Sequence, residues 1–150
     1  MPTNNALNFA LGNVNEQLTM TGANIMGFRA RSQSSASRSL NTIFQISATR
    51  DSQVVYSTDI SCTSSLLGGQ SGTVFLEISP SSTFSSGIQE LSEFTNSNAV
   101  ALAIAITVVQ INTAVLVGQL IPAGYYVRLR TANNTGSPTF TFKSGQEVIL

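Results

Sequence analysis

Residues 99–131 constrain the fold more than any other stretch, because three consecutive segments there alternate with period two and are punctuated by a proline-glycine turn. Within 99–109, Val100, Leu102, Ile104, Ile106 and Val108 are bulky, while Ala99, Ala101, Ala103 and Ala105 are small. Successive side chains of a strand point to opposite faces, so this segment has one bulky face and one nearly flat one. Residues 113–121 form a second apolar run, and Ile121-Pro122-Ala123-Gly124 supplies the residues of a tight turn. After it, Tyr125, Val127 and Leu129 alternate with Tyr126, Arg128 and Arg130. Strands joined by short turns pair antiparallel. A membrane helix needs about 20 predominantly apolar residues. The uninterrupted run ends at Val109, and a helix would scatter its large side chains and leave the alanine alternation without purpose. The strand reading explains more, and no membrane insertion is expected.

A chain of 150 residues with 42% hydrophobic content holds one domain with a real core and a short appendage. Only 9% of the residues are charged, against about 25% in an ordinary domain. The surface is therefore covered by Ser, Thr, Asn, Gln and Gly. With zero net charge, such a cover neither steers nucleic acid nor repels a like neighbour, and no nucleic-acid partner is expected. Histidine is absent and Cys62 is the single cysteine, which removes the usual metal ligand sets, Ser-His and Cys-His pairs and an internal disulfide. Cys62 falls among apolar positions and reads as a buried, inert thiol. No basic segment followed by an apolar core opens the chain, which fits a chain made in the cytoplasm without disulfides.

Residues 1–28 differ from the rest. Leu7, Leu11, Val14, Leu18, Thr21, Ile25 and Phe28 follow the 4-3 spacing of a coiled-coil seam, whereas Gly12, Gly22 and the asparagines oppose a long helix and allow an extended segment with a glycine turn, as in intertwined fibre shafts. Both readings require the segment to dock on other copies or another protein, with Leu7, Leu11, Val14 and Leu18 as the anchoring positions. Residues 29–41 read as a Ser/Arg-rich neck; Arg29, Arg31 and Arg38 either stay solvated or meet a partner surface or an acidic residue of a neighbouring copy.

From 42 to 150 the pattern is that of strands: 42–49; 54–62, with Val54, Tyr56, Thr58, Ile60 and Cys62 on one face; 73–79, with Val74, Leu76 and Ile78 opposite Phe75 and Glu77; 88–94; the stretch above; 139–143; and a closing Glu147-Val148-Ile149-Leu150. The glycines of 66–72 are not a phosphate loop, since no lysine follows and no helix begins. About eight to nine short strands in roughly 110 residues predict an all-β protein, an antiparallel two-sheet β-sandwich of jelly-roll-like form. The flat face of Ala101, Ala103 and Ala105, with Ile149 and Leu150 at the end, is expected to meet other copies, because monomers seldom expose such surfaces. A homotrimer is the expected assembly.

The segments Gly72-Thr73-Val74-Phe75-Leu76-Glu77-Ile78, Gly87-Ile88-Gln89-Glu90-Leu91, Ile121-Pro122-Ala123-Gly124-Tyr125-Tyr126-Val127-Arg128-Leu129-Arg130-Thr131, Gly136-Ser137-Pro138-Thr139-Phe140 and Ser144-Gly145-Gln146-Glu147-Val148-Ile149-Leu150 together resemble the C-terminal domain of tailed-bacteriophage and prophage fibre or spike proteins, over about residues 36–150. The resemblance implies a homotrimeric knob in a virion, carried on a slender stem that holds other virion proteins, with a host-surface glycan or protein as receptor. It brings no catalytic motif. A capsid or tail decoration protein and a carbohydrate-cleaving tip are the alternatives.

No catalytic, metal or cofactor residue is assigned. Cleavage of a glycosidic bond needs two carboxylates about 5–9.5 Å apart, and the odd spacing of Glu90 and Glu93 predicts opposite faces of one strand. Arg128 and Arg130 share a face and, with Lys143, are placed to hold a carboxylate, either of a receptor sugar or of Glu147 or Glu90 of a neighbouring copy. Receptor contact is expected in loops: Gln70 and Ser71, Ser81 and Ser82, Asn96 and Asn98, and Asn133 and Asn134.

Overall fold

Where a side chain is buried every second residue, a strand lies between a core and an outer surface, and the buried positions of this chain do so. The computed structural model describes residues 32–64, 68–98 and 108–150, nearly all of them in one compact unit, Gln33–Ile149. Among the described residues are eight strands: β1 (Ser32–Ser35), β2 (Ile43–Gln45), β3 (Ser52–Ser64), β4 (Gln70–Ser79), β5 (Gln89–Asn98), β6 (Val108–Ile121), β7 (Tyr126–Thr135) and β8 (Thr139–Ile149). They form two four-stranded sheets in the orders β1-β8-β3-β6 and β2-β7-β4-β5. The first four strands thus pair with the last four in reverse, β1 with β8 through β4 with β5, and the double ribbon rolls up so that β3 also meets β8 and β4 also meets β7. This is the jelly roll, and the expected sandwich is the observed fold.

The core follows the alternation. Val54, Tyr56, Ile60 and Cys62 of β3, Val74, Leu76 and Ile78 of β4, Leu116 and Ile121 of β6, and Val127 and Leu129 of β7 pack into one buried cluster. Cys62 is a free, buried thiol, and burial pushes its pKa up. The turn at 122–125 forms as expected: the Tyr125 amide donates to the Pro122 carbonyl (3.2 Å) and Gly124 has φ +81°, a left-handed conformation that glycine adopts without Cβ strain. No helix among the described residues is long and apolar enough to cross a membrane.

Several boundaries differ from the sequence reading. Ser32–Ser35, within the expected neck, form β1 beside β8, and Arg38 turns inward. Its guanidinium donates to both oxygens of Glu147 (2.8 and 2.7 Å) and stacks on Phe44 (4.4 Å), so its partner belongs to the same chain. Tyr56 Oη donates to the same carboxylate at 2.6 Å. Three charge-assisted bonds satisfy a carboxylate that the fold buries. Burial first, then the Glu147 carboxylate, raises the Tyr56 pKa well above its ordinary value. The first expected strand, 42–49, is cut to Ile43–Gln45, because Ser47 Oγ accepts from the amides of Thr49 and Arg50 and turns the chain. Gly145 makes room: a Cβ there would lie 2.8 Å from Tyr56 Cδ1 and 3.1 Å from the Ala36 carbonyl. The register shift of β8 lies just before it, between Ser57↔Ser144 and Thr58↔Phe142.

Ile149 closes β8 opposite Ser52, within the sheet of its own chain, with Leu150 following it. The alanines 101, 103 and 105 and the anchoring positions Leu7, Leu11, Val14 and Leu18 lie outside the described residues, as do Arg29 and Arg31.

Candidate functional site

The sheet β2-β7-β4-β5 turns its outward positions into a charged and aromatic ladder. Phe75 and Glu77 of β4 lie opposite Arg130 and Arg128 of β7, and all four point away from the core that their alternate neighbours fill. The Glu77 side chain is only 5% exposed. Its Oε2 accepts from Arg128 Nε (2.9 Å) and Nη2 (2.7 Å), and its Oε1 from Arg130 Nε (2.6 Å). Arg130 stacks on the Phe75 ring at 3.8 Å and holds Nη2 3.9 Å from Glu90 Oε2. One buried carboxylate therefore fixes two arginines, each held over an aromatic ring.

The second ring is that of Phe84, from the 80–87 loop, 4.5 Å from the Arg128 guanidinium carbon. Phe84 is 6% exposed, and its φ of +52° is rare for a bulky residue. Such a conformation persists only where the surroundings over-determine it, and the surroundings are visible. The Phe84 amide donates to the Ser81 carbonyl (3.0 Å), Ser79 Oγ donates to the Ser86 carbonyl (2.7 Å), and the Ser81 amide donates to Ser79 Oγ (3.0 Å). Gly87, at φ +62°, fits against the Pro80 ring, which a Cβ would meet at 3.0 Å. A sequence that reads as a featureless serine loop is thus tied down at its base and anchored through its middle. Ser81, Thr83 and Ser85 are left at its tip, with their hydroxyls 3.0 to 3.1 Å apart.

Of the other expected contact residues, only Ser82 lies on this loop. Gln70 and Ser71 begin β4, paired with Asn98 and Ser97 of β5, and Asn133 lies in β7 opposite Gly72. These residues surround the first end of β4, and the 80–87 loop leaves its other end. Ten residues at about 3.3 Å each put roughly 30 Å between them, so one small ligand does not bridge both. Asn96, expected in a loop, is buried in β5: its Nδ2 donates to the Ile60 carbonyl (2.8 Å) and its Oδ1 accepts from Asn112 Nδ2 (2.6 Å). Asn98 Nδ2 donates to the Cys62 carbonyl at 3.4 Å. Asn134 Nδ2 donates to Thr73 Oγ1 at 2.8 Å, while Ser82 stays exposed on the loop.

Two electrostatic expectations change as well. Lys143 does not join the arginines, because β8 belongs to the other sheet; its Nζ meets Asp59 Oδ2 at 3.0 Å. Glu147 faces Arg38, as above. Glu90 and Glu93 lie on one face rather than two, since the register slips from Leu76↔Ser92 to Glu77↔Glu90 and leaves Leu91 as the extra residue of a bulge. Phe84, Thr83, Ser85 and Glu77 are the site residues that sequence reasoning passed over. A large aromatic in the middle of Ser-Ser-Thr-Phe-Ser-Ser was the available signal, because a solvated loop has no use for it.

The chain is 40% identical over 111 residues to a stretch of an uncharacterized protein, 443R, of Invertebrate iridescent virus 6. The match covers 71% of this chain and 4% of that protein, so the chain corresponds to a small part of a far longer viral polypeptide. No family model and no solved structure matches.

Proposed function

We propose that this chain is an attachment module of a virus: a trimeric jelly-roll knob of a fibre or spike that presents rigid loops to a host surface. The observation that carries the reading is the braced 80–87 loop, which keeps Phe84 in a left-handed conformation beneath Arg128 while its hydroxyls face outward. Strain of this kind at a surface is retained where a fixed shape is useful. Similarity to a stretch of a viral protein supports a virion role, as does the resemblance of the Pro122–131 and 144–148 segments to phage fibre domains. The relative's source widens the range of hosts to consider beyond bacteria. In this reading weak contacts repeat on each copy and add through multivalency.

Fluorescently labelled full chain, incubated with a panel of bacterial and cultured invertebrate cells and with virus particles, tests the proposal. Saturable binding to one cell type, competed by unlabelled chain, is the expected result. Binding to particles without binding to any cell would replace attachment by decoration of the particle. Native mass measurement of the full chain tests the trimer, and a monomer at high concentration would refute it.

A further inference from the structure

Ser81, Thr83 and Ser85 form a closed triangle of hydroxyls on the exposed loop: Ser81 Oγ lies 3.1 Å from Thr83 Oγ1 and 3.0 Å from Ser85 Oγ, and Thr83 Oγ1 lies 3.1 Å from Ser85 Oγ. Three hydroxyls bring three protons and six lone pairs. A ring of three hydrogen bonds consumes the protons and half of the lone pairs. Ser81 Oγ also faces the amides of Thr83 and Ser85, at 3.4 and 3.5 Å, so the acceptors that remain open are chiefly those of Thr83 and Ser85. Opening one link of the ring releases one donor. The triangle is therefore neutral, accepts readily and donates at modest cost.

That balance selects among ligand classes. An anion needs the protons turned outward, which breaks the ring's internal bonds. A cation would meet lone pairs with no formal negative charge beside them, whereas hard cations are held by carboxylates. A neutral polyol fits, because adjacent hydroxyls of a sugar both give and take hydrogen bonds. The loop is already fixed by Phe84, by the bond from Ser79 to the Ser86 carbonyl and by Gly87 against Pro80, so binding does not have to order it.

We propose that the Ser81-Thr83-Ser85 triangle is a binding site for a neutral saccharide, held by adjacent ligand hydroxyls. This deepens the attachment reading, on which it rests, by naming the chemistry of the receptor. A single site of this size binds weakly, with Kd on the order of 1 mM.

The test is an amide NMR titration of isotope-labelled full chain with the methyl glycosides of glucose, galactose, mannose and N-acetylglucosamine, and with glucuronate and inorganic sulfate as anionic probes. At least one neutral glycoside is expected to shift the amides of residues 81–88 saturably. The triple variant Ser81→Ala, Thr83→Val, Ser85→Ala should bind about tenfold more weakly or worse with its strand resonances unmoved. Thr83→Val alone, which keeps the side-chain shape, should lose about threefold, as one net hydrogen bond requires. No shift with any neutral glycoside, equal binding by both variants, or shifts with sulfate alone would each overturn the proposal. Cell binding by the wild-type chain and the triple variant separates the two readings. Equal binding overturns the loop's role and leaves attachment standing; a glycoside shift without any cell binding supports the saccharide site and removes attachment.

Discussion

Replacing Phe84 measures how firmly the 80–87 loop is held. The ring is buried outside the main core, under Arg128 at 4.5 Å, and truncating a buried phenylalanine to alanine costs about 3–5 kcal/mol where the site cannot collapse. The loop lies on a surface and relaxes in part, so about 3 kcal/mol is the working figure, of which about 1 kcal/mol belongs to the cation–ring contact. Alanine keeps the Cβ and thus the strain at φ +52°. Glycine relieves about 1–2 kcal/mol of that strain but adds about 0.5–1 kcal/mol of unfolded-state freedom, so Phe84→Gly should cost about 1 kcal/mol less than Phe84→Ala. The sandwich need not unfold for the loop to open, and the appropriate readout is local hydrogen exchange at the residue-84 amide, which donates to the Ser81 carbonyl. At about 1.4 kcal/mol per decade, its protection should fall about 100-fold in the alanine variant and about 30-fold in the glycine variant. Protection within about threefold of wild type in both would show that the ring does not hold the loop. A glycine variant that opens more than the alanine variant would show that the backbone at Phe84 is not strained.

Three further outcomes follow from the buried groups. Tyr56→Phe removes the 2.6 Å bond to Glu147 and should cost about 2 kcal/mol near neutral pH by urea denaturation. Because the Tyr56 pKa is raised in the folded chain, its contribution is complete below about pH 10, the ordinary tyrosine value, and is lost as pH rises above it; the gap between wild type and Tyr56→Phe should therefore narrow in alkali, and a constant gap up to pH 11.5 would refute the linkage. Gly145→Ala forces a methyl to within 2.8 Å of the Tyr56 ring and should cost about 1–3 kcal/mol; an unchanged denaturation midpoint would show that the ring has room to move. Glu77→Gln leaves Arg128 and Arg130 side by side with only the more exposed Glu90, 3.9 Å from Arg130, as counter-charge and should cost about 3 kcal/mol, whereas Lys143→Gln, which breaks a pair held by an exposed lysine, should cost clearly less. Equal costs for the two would contradict the difference in burial between Glu77 and the Lys143 pair.

Alternation by itself determined which residues of β3, β4 and β7 face the core, because a strand has one side-chain period and a one-residue slip would expose every apolar group at once. Val54 to Cys62, Val74 to Ile78 and the split of Tyr125, Val127 and Leu129 from Arg128 and Arg130 were legible for that reason, as was the turn at Gly124. The two-sheet class followed from the strand count. The sheet assignment did not: only the folded chain puts β8 between β1 and β3, which separates Lys143 from the arginines by a whole core layer and delivers Glu147 to Arg38 and Tyr56. The bulge at Leu91 escaped a period-two reading because it breaks that period, and so the faces of Glu90 and Glu93 were misassigned. The loop required tertiary structure most of all. Phe84 is buried by Arg128, Arg128 is aimed by Glu77, and Glu77 comes from another strand. Contacts between residues 44 or more positions apart, added to the loop's own hydrogen bonds, fix the shape of eight residues whose own sequence carries no periodic signal.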